Sequence, residues 1–303
     1  MITISLSKFK GGVAGTETAY QLATLYALSG WRVLVVDTDP QGGITKRFFP
    51  STSALNLPTL ADAVREFIAD RKNPAIHLSQ VVRTALVTRD ARKRVTPSVI
   101  AVVPSDRSLQ DQESNIGNMP VGRTKVLKRM LATVADQYDI CIIDTPPVFG
   151  YLSRNAVVAA NGLLLPLLPE PPSFDALTEL RSELAMMAEE DEIPPVVGTV
   201  ANRYSEKSHR HMVGKALLQI AAGERTAEDL LPFGSVAEQF NFASVEGLHV
   251  PFLGTVANDN CAGNERNLRR AYEPIAMRLA KKIGFALDMN LSKEVFEYAS
   301  VPA

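Results

Sequence analysis

Three groups of residues in this chain have the types and spacing to handle a phosphorylated ligand. The first is Lys8-Phe9-Lys10-Gly11-Gly12-Val13-Ala14-Gly15-Thr16-Glu17-Thr18, which follows the apolar run 2–7 and precedes a helical pattern. A strand, a glycine-rich turn and a helix start make an anion site, because successive amide N–H groups and the positive end of the helix dipole converge there. Thr16 stands where such a loop places a hydroxyl for magnesium. The second group is Asp37-Thr38-Asp39-Pro40-Gln41-Gly42, at the end of the apolar run 33–36. The third is Asp144, which ends the run 140–143. Carboxylates at strand ends facing a phosphate loop suit magnesium binding and the orientation of an attacking water. Taken singly, the first group also fits a tight βα turn and the second a turn punctuated by Pro40 and Gly42.

The elements that must position these groups show in the apolar pattern. Short, nearly continuous apolar runs at 2–7, 33–36, 99–103, 140–143, 162–167 and 196–200 read as strands covered on both faces. Helical patterns at 17–29, 60–70, 123–137 and 174–189 separate them. Alternating β and α predicts an α/β fold, a doubly wound and mostly parallel sheet, with ligands at the carboxyl ends of its strands. After 200 the pattern turns mainly helical, at 208–222, 264–272 and 274–284, with Pro274 acceptable as a first helical residue. The expected organisation is one domain over 1–303: a nucleotide-binding core to 202, a helical elaboration over 203–284 and a tail from 285.

Composition narrows the class. Across 303 residues, 46% hydrophobic content supports a large core and excludes wholesale disorder. Two cysteines cannot build a disulfide framework, and Cys141 reads as a small buried strand residue. The start has no basic n-region, and the apolar run at 162–168 is broken by Pro166, so a soluble cytoplasmic protein is expected. Net charge is −1, but the charge is segregated. Residues 203–215 hold four Lys/Arg against one acid and 264–282 hold six against two, whereas 175–192 hold seven acids and one Arg. Such patches are either solvated helix faces or the footprint of a polyanion.

Lys10-Gly11-Gly12 followed by Thr16 resembles the deviant Walker A box of the ParA/MinD ATPases, usually written K-G-G-x-x-K-[ST]. Asp37-Thr38-Asp39-Pro40-Gln41-Gly42 and the string Tyr138-Asp139-Ile140-Cys141-Ile142-Ile143-Asp144-Thr145-Pro146-Pro147 resemble the ParA versions of the next two motifs rather than those of MinD. The resemblance implies a P-loop NTPase-like topology, ATP and Mg2+ as cofactors, and a homodimer bridged by ATP that binds DNA without sequence preference. It further implies a ParB-like or cargo-adaptor partner that stimulates hydrolysis, and a cytoplasmic, nucleoid-associated protein without a membrane partner.

Carried over residue by residue, Lys10 reaches the partner subunit's nucleotide and Asp39 activates water. Gly11, Gly12, Val13, Ala14, Gly15, Thr16 and Glu17 cradle the phosphates. Thr16, Asp37 and Asp144 serve magnesium, and Asn202 hydrogen-bonds the adenine edge or caps the following segment. Arg203, Lys207, Arg210 and Lys215 form one candidate DNA stripe, and Arg266, Arg269 and Arg270 belong to another. The chain departs from the family at Gly15, where the family has its phosphate-gripping lysine. Either the grip is lost, so that hydrolysis is impaired or the protein is a non-hydrolysing DNA-binding scaffold, or Lys8 or Lys10 compensates. A MinD-like membrane protein fits less well, since 285–303 carries little positive charge.

Overall fold

The computed structural model describes residues 1–8, 10–50, 58–70, 77–87, 98–168, 171–204, 252–257 and 265–284. Its centre is an eight-stranded sheet formed by β1 (Ile2–Leu6), β2 (Val33–Asp37), β3 (Arg83–Val87), β4 (Ser98–Val103), β5 (Ile140–Asp144), β6 (Gly162–Leu167), β7 (Val196–Tyr204) and β8 (Phe252–Ala257). The strand order is β3-β4-β2-β5-β1-β6-β7-β8. All neighbours are parallel except β3, which runs antiparallel to β4 at one edge. The doubly wound, mostly parallel α/β expectation is met.

Strict two-residue alternation divides the core. Val33, Val35, Ile140 and Ile142 face one layer, with α1 (Gly15–Leu28) and the C-terminal α9 (Glu265–Lys282). Leu34, Val36, Cys141 and Ile143 face the other, with α3 (Leu60–Ala69), α4 (His77–Val81), α5 (Leu109–Gly117), α6 (Val126–Ala132) and α7 (Tyr151–Ala159). Strands buried on both faces require the continuous apolar runs seen in the sequence. Each fully buried aliphatic chain contributes about 1.5–3 kcal/mol. Short α2 (Gly43–Phe48) follows β2, and α8 (Pro171–Met187) follows β6.

The region after 200, expected to be mainly helical, also adds β8 to the sheet. Two expectations are corrected. The two helices expected at 264–272 and 274–284 are one, α9, with Pro274 inside it rather than at its start. Tyr272, Ile275, Ala276 and Leu279 are all buried, so one apolar face continues through the proline and holds the helix together despite the missing N–H. The helix expected at 123–137 is shorter, Val126–Ala132. The helix expected at 208–222 lies outside the described residues.

Candidate functional site

Register brings the chemistry to one place. Asp144 pairs with Leu6 of β1 on one side and with Asp37 of β2 on the other, so three adjacent strands end level with one another. Beyond Leu6 the chain passes through Ser7 and Lys8 into the glycine loop. Gly12 has φ +81 and Ala14, the residue before α1, has φ 59. A left-handed residue at a helix start turns consecutive N–H groups to one side, which is the geometry of an anion nest. Nothing lies within 4 Å of where a Cβ would stand on Gly11 or Gly12, so the loop leaves open room for a ligand. These residues fit a phosphate.

Asn202 anchors this loop from behind. It is 1% exposed. Its Nδ2 donates to the Val13 carbonyl at 2.8 Å and to Thr18 Oγ1 at 3.2 Å. Its Oδ1 accepts from the Tyr272 hydroxyl at 2.7 Å, and Thr18 Oγ1 donates to the Ala14 carbonyl at 2.9 Å. The amide expected to meet an adenine edge is thus engaged inside the protein, tying β7, α1 and α9 to the phosphate loop. Nothing about Asn202 alone signals this, because Tyr272 stands 70 residues away in sequence.

The carboxylates divide into different roles. Asp37 is fully buried, and both its oxygens are used: Oδ1 accepts from the Asp39 N–H, and Oδ2 from the Thr45 N–H and hydroxyl. Burial pushes its carboxyl well above the usual range, the Asp144 charge adds to this, and the Thr45 and Asp39 hydrogen bonds oppose it. Asp37 shapes the turn that carries Asp39. Thr45 extends the same turn by accepting the Ser105 N–H. Asp39 is 8% exposed, with Oδ1 accepting from the Gln41 N–H.

Asp144 and Thr16 share a cation. Lys8 is 6% exposed, and its Nζ lies 2.5 Å from Asp144 Oδ1 and 3.1 Å from Thr16 Oγ1. Burial raises the Asp144 carboxyl, and the Lys8 ammonium works against that rise. The hydroxyl and the carboxylate therefore converge on one positive charge, as magnesium ligands must. Among the described residues no three acids, histidines or cysteines gather as a metal site.

The other predicted residues fall as follows. Lys10 is half-buried at the start of the loop. Glu17 turns away from the loop, with Oε1 accepting from Gln21 Nε2 at 2.7 Å and Oε2 3.5 Å from Arg47 Nε. Arg203 lies in β7, and Arg266, Arg269 and Arg270 lie in α9. Lys207, Arg210 and Lys215 lie outside the described residues. Cys141 is buried, and burial pushes its thiol up, as an inert strand residue requires. No helix among the described residues is long and apolar enough to cross a membrane.

A glycine loop between β1 and α1, at the carboxyl edge of a parallel sheet and facing strand-end carboxylates, defines a P-loop nucleotide-binding protein. Residues 1–193 match the model of the AAA domain family, and the chain belongs to that family, among its ParA-type ATPases. It is 27% identical over 263 residues to the maintenance of carboxysome distribution protein A of Synechococcus elongatus, covering 84% of this chain and 93% of that protein. It is 33% identical over 171 residues to the chromosome-partitioning ATPase Soj of Treponema pallidum, covering 56% of this chain and only 58% of that relative. In fold it is similar to a plasmid partition protein from Borrelia burgdorferi B31 bound to AMPPNP, with a TM-score of 0.65 at 19% identity, covering 93% and 98% of the two chains.

Proposed function

We propose that this chain is an ATP-dependent partition or cargo-positioning protein. The observation that carries the reading is the phosphate nest between β1 and Thr16 of α1, beside strands that end level at Leu6, Asp144 and Asp37, with Asp39 two residues beyond. The relatives' names, carboxysome distribution and chromosome partitioning, support it. In this reading residues 11–16 would hold the ATP phosphates, and Thr16 and Asp144 would hold Mg2+, which would neutralise phosphate charge. Asp39 orients the attacking water, held by a turn that Asp37 and Thr45 fix. Lys10 reaches across a nucleotide-bridged homodimer. The basic patches, including Arg203, Arg266 and Arg270, hold DNA phosphates without reading bases. A ParB-like or adaptor protein on the cargo stimulates hydrolysis.

The test is DNA binding as a function of nucleotide and salt. A random-sequence duplex should be held tightly with ATP and Mg2+ and weakly with ADP. Each phosphate contact contributes about −0.9 to the slope of log K against log salt. Arg266 and Arg270 are four residues apart in α9. Reversing both to Glu should weaken binding to every duplex about equally and flatten the slope by at least about one unit. Binding that ignores nucleotide would support the scaffold reading instead, and an unchanged slope would remove α9 from the DNA surface.

A further inference from the structure

We infer that Lys8, at the end of β1, supplies the phosphate-gripping ammonium that the loop lacks at position 15, and that Gly15 is the room made for it. The inference deepens the nucleotide-site reading and rests on it. A Cβ built on Gly15 would stand 2.4 Å from Lys8 Cδ, 2.8 Å from Cγ and 3.1 Å from Cε. The Lys8 stem therefore runs through the space in which any side chain at position 15 would begin. Its ammonium emerges between Thr16 Oγ1 and Asp144 Oδ1; with Mg2+ on those two oxygens it would shift from them to the bound phosphate. The lysine enters the same volume from a different backbone origin.

Two physical points favour a functional reason for this arrangement. Lys8 and Asp144 are 6% and 0% exposed, so both charges carry a desolvation cost that their attraction must repay. A buried pair is thus weak evidence of stabilisation by itself, and its position beside an open anion nest gives it a use. Gly15 is also the first residue of α1, where glycine brings no helix-forming advantage. The φ at Gly15 is not in the left-handed region, so the backbone does not require glycine there. The Lys8 stem does.

The two positions are therefore coupled: a lysine fits at 8 with glycine at 15, or at 15 with a short residue at 8. Gly15→Lys alone does not repair the motif, because two stems compete for one channel.

The experiment compares the native chain, Lys8→Met, Gly15→Lys and the swap Lys8→Ser/Gly15→Lys. Each is titrated with a fluorescent ATP analogue in Mg2+ and melted without nucleotide. Lys8→Met keeps the stem's bulk and should lose roughly 10- to 100-fold in affinity, the worth of a charge-assisted contact. Gly15→Lys should bind no better than native and melt at a lower temperature. The swap should recover both melting temperature and affinity to within roughly threefold of native, since one lysine again has the channel to itself. Lys8→Met binding as tightly as native overturns the inference, as does a swap no tighter than Gly15→Lys. Should Lys8→Met fail to fold, the swap against Gly15→Lys decides alone. A native chain that does not bind the analogue overturns the nucleotide-site reading itself, and Lys8's role with it.

Discussion

Because the Asn202 side chain joins three elements to the back of the phosphate loop, its removal tests whether α9 holds that loop. Asn202→Ala strips the Val13 carbonyl of its 2.8 Å donor inside a buried region. The Tyr272 hydroxyl loses its acceptor but keeps Thr18 Oγ1 at 3.0 Å. One orphaned acceptor costs about 1–3 kcal/mol. Adding the packing lost on truncation gives about 2–4 kcal/mol in all. Tyr272→Phe leaves Asn202 Oδ1 without its 2.7 Å donor and should cost about 1–2 kcal/mol. In the double variant that orphaned oxygen no longer exists, so its cost should fall short of the sum by about 1 kcal/mol or more. Asn202→Asp keeps the acceptor and loses the donor to Val13, so it should do at least as badly as Ala. Equilibrium urea unfolding at 25 °C reads all four, and ATP-analogue affinity should fall with the Asn202 variants but much less with Tyr272→Phe. Single costs that add within about 0.3 kcal/mol would refute a cooperative node.

Two further outcomes follow from the site. Asp39→Ala should abolish single-turnover hydrolysis while leaving analogue affinity within roughly threefold of native, because Asp39 belongs to the turn after β2 rather than to the glycine loop and its Oδ1 accepts from the Gln41 N–H; a variant that still hydrolyses ATP at the native rate would end the water-orienting assignment. Lys10→Ala should melt as native does yet stay monomeric by light scattering in ATP and Mg2+, and unchanged ATP-dependent dimers would remove its inter-subunit role.

What could be read from the sequence was whatever repeats locally. The central strands β2, β5 and β6 are apolar on both faces and stood out for that reason, whereas β1 buries Ile4 and Leu6 on one face and Thr3 and Ser5 on the other. The edge strands did not. In β3 only Ala85 and Val87 are buried, and the strand opens on Arg83, so its pattern is that of a polar connection. The strand β8 carries Gly254 inside it, which weakens any strand signal. The helix α5 buries only Leu109, Gln112 and Ile116 in nine residues, too few to mark a helical stripe. Pro274 looked like a start because propensity disfavours it elsewhere, and tertiary packing on both sides of it prevailed.

The site shows the same division between what is local and what is spatial. Asp37, Asp39, Asp144 and Thr16 were found because each sits at a strand end or helix start that the sequence itself marks. Their division of labour was not visible. Asp37 and Asp39 are two residues apart and chemically alike, yet one is fully buried and accepts from Thr45 and the Asp39 N–H while the other is slightly exposed and accepts from the Gln41 N–H. Gly15 is the sharper case. Aligned to a motif it is a missing lysine; in space it borders a lysine that enters from the preceding strand. Motif spacing records where a side chain leaves the backbone, whereas electrostatics depends on where its charge arrives. Lys8 can cover a seven-residue gap because the tight turn folds the end of β1 back beside the first turn of α1, and an extended four-carbon stem spans what remains. In such a loop the position of the ammonium constrains function more directly than the position of the lysine, and the residue that gives way to it carries as much information as the residue that bears the charge.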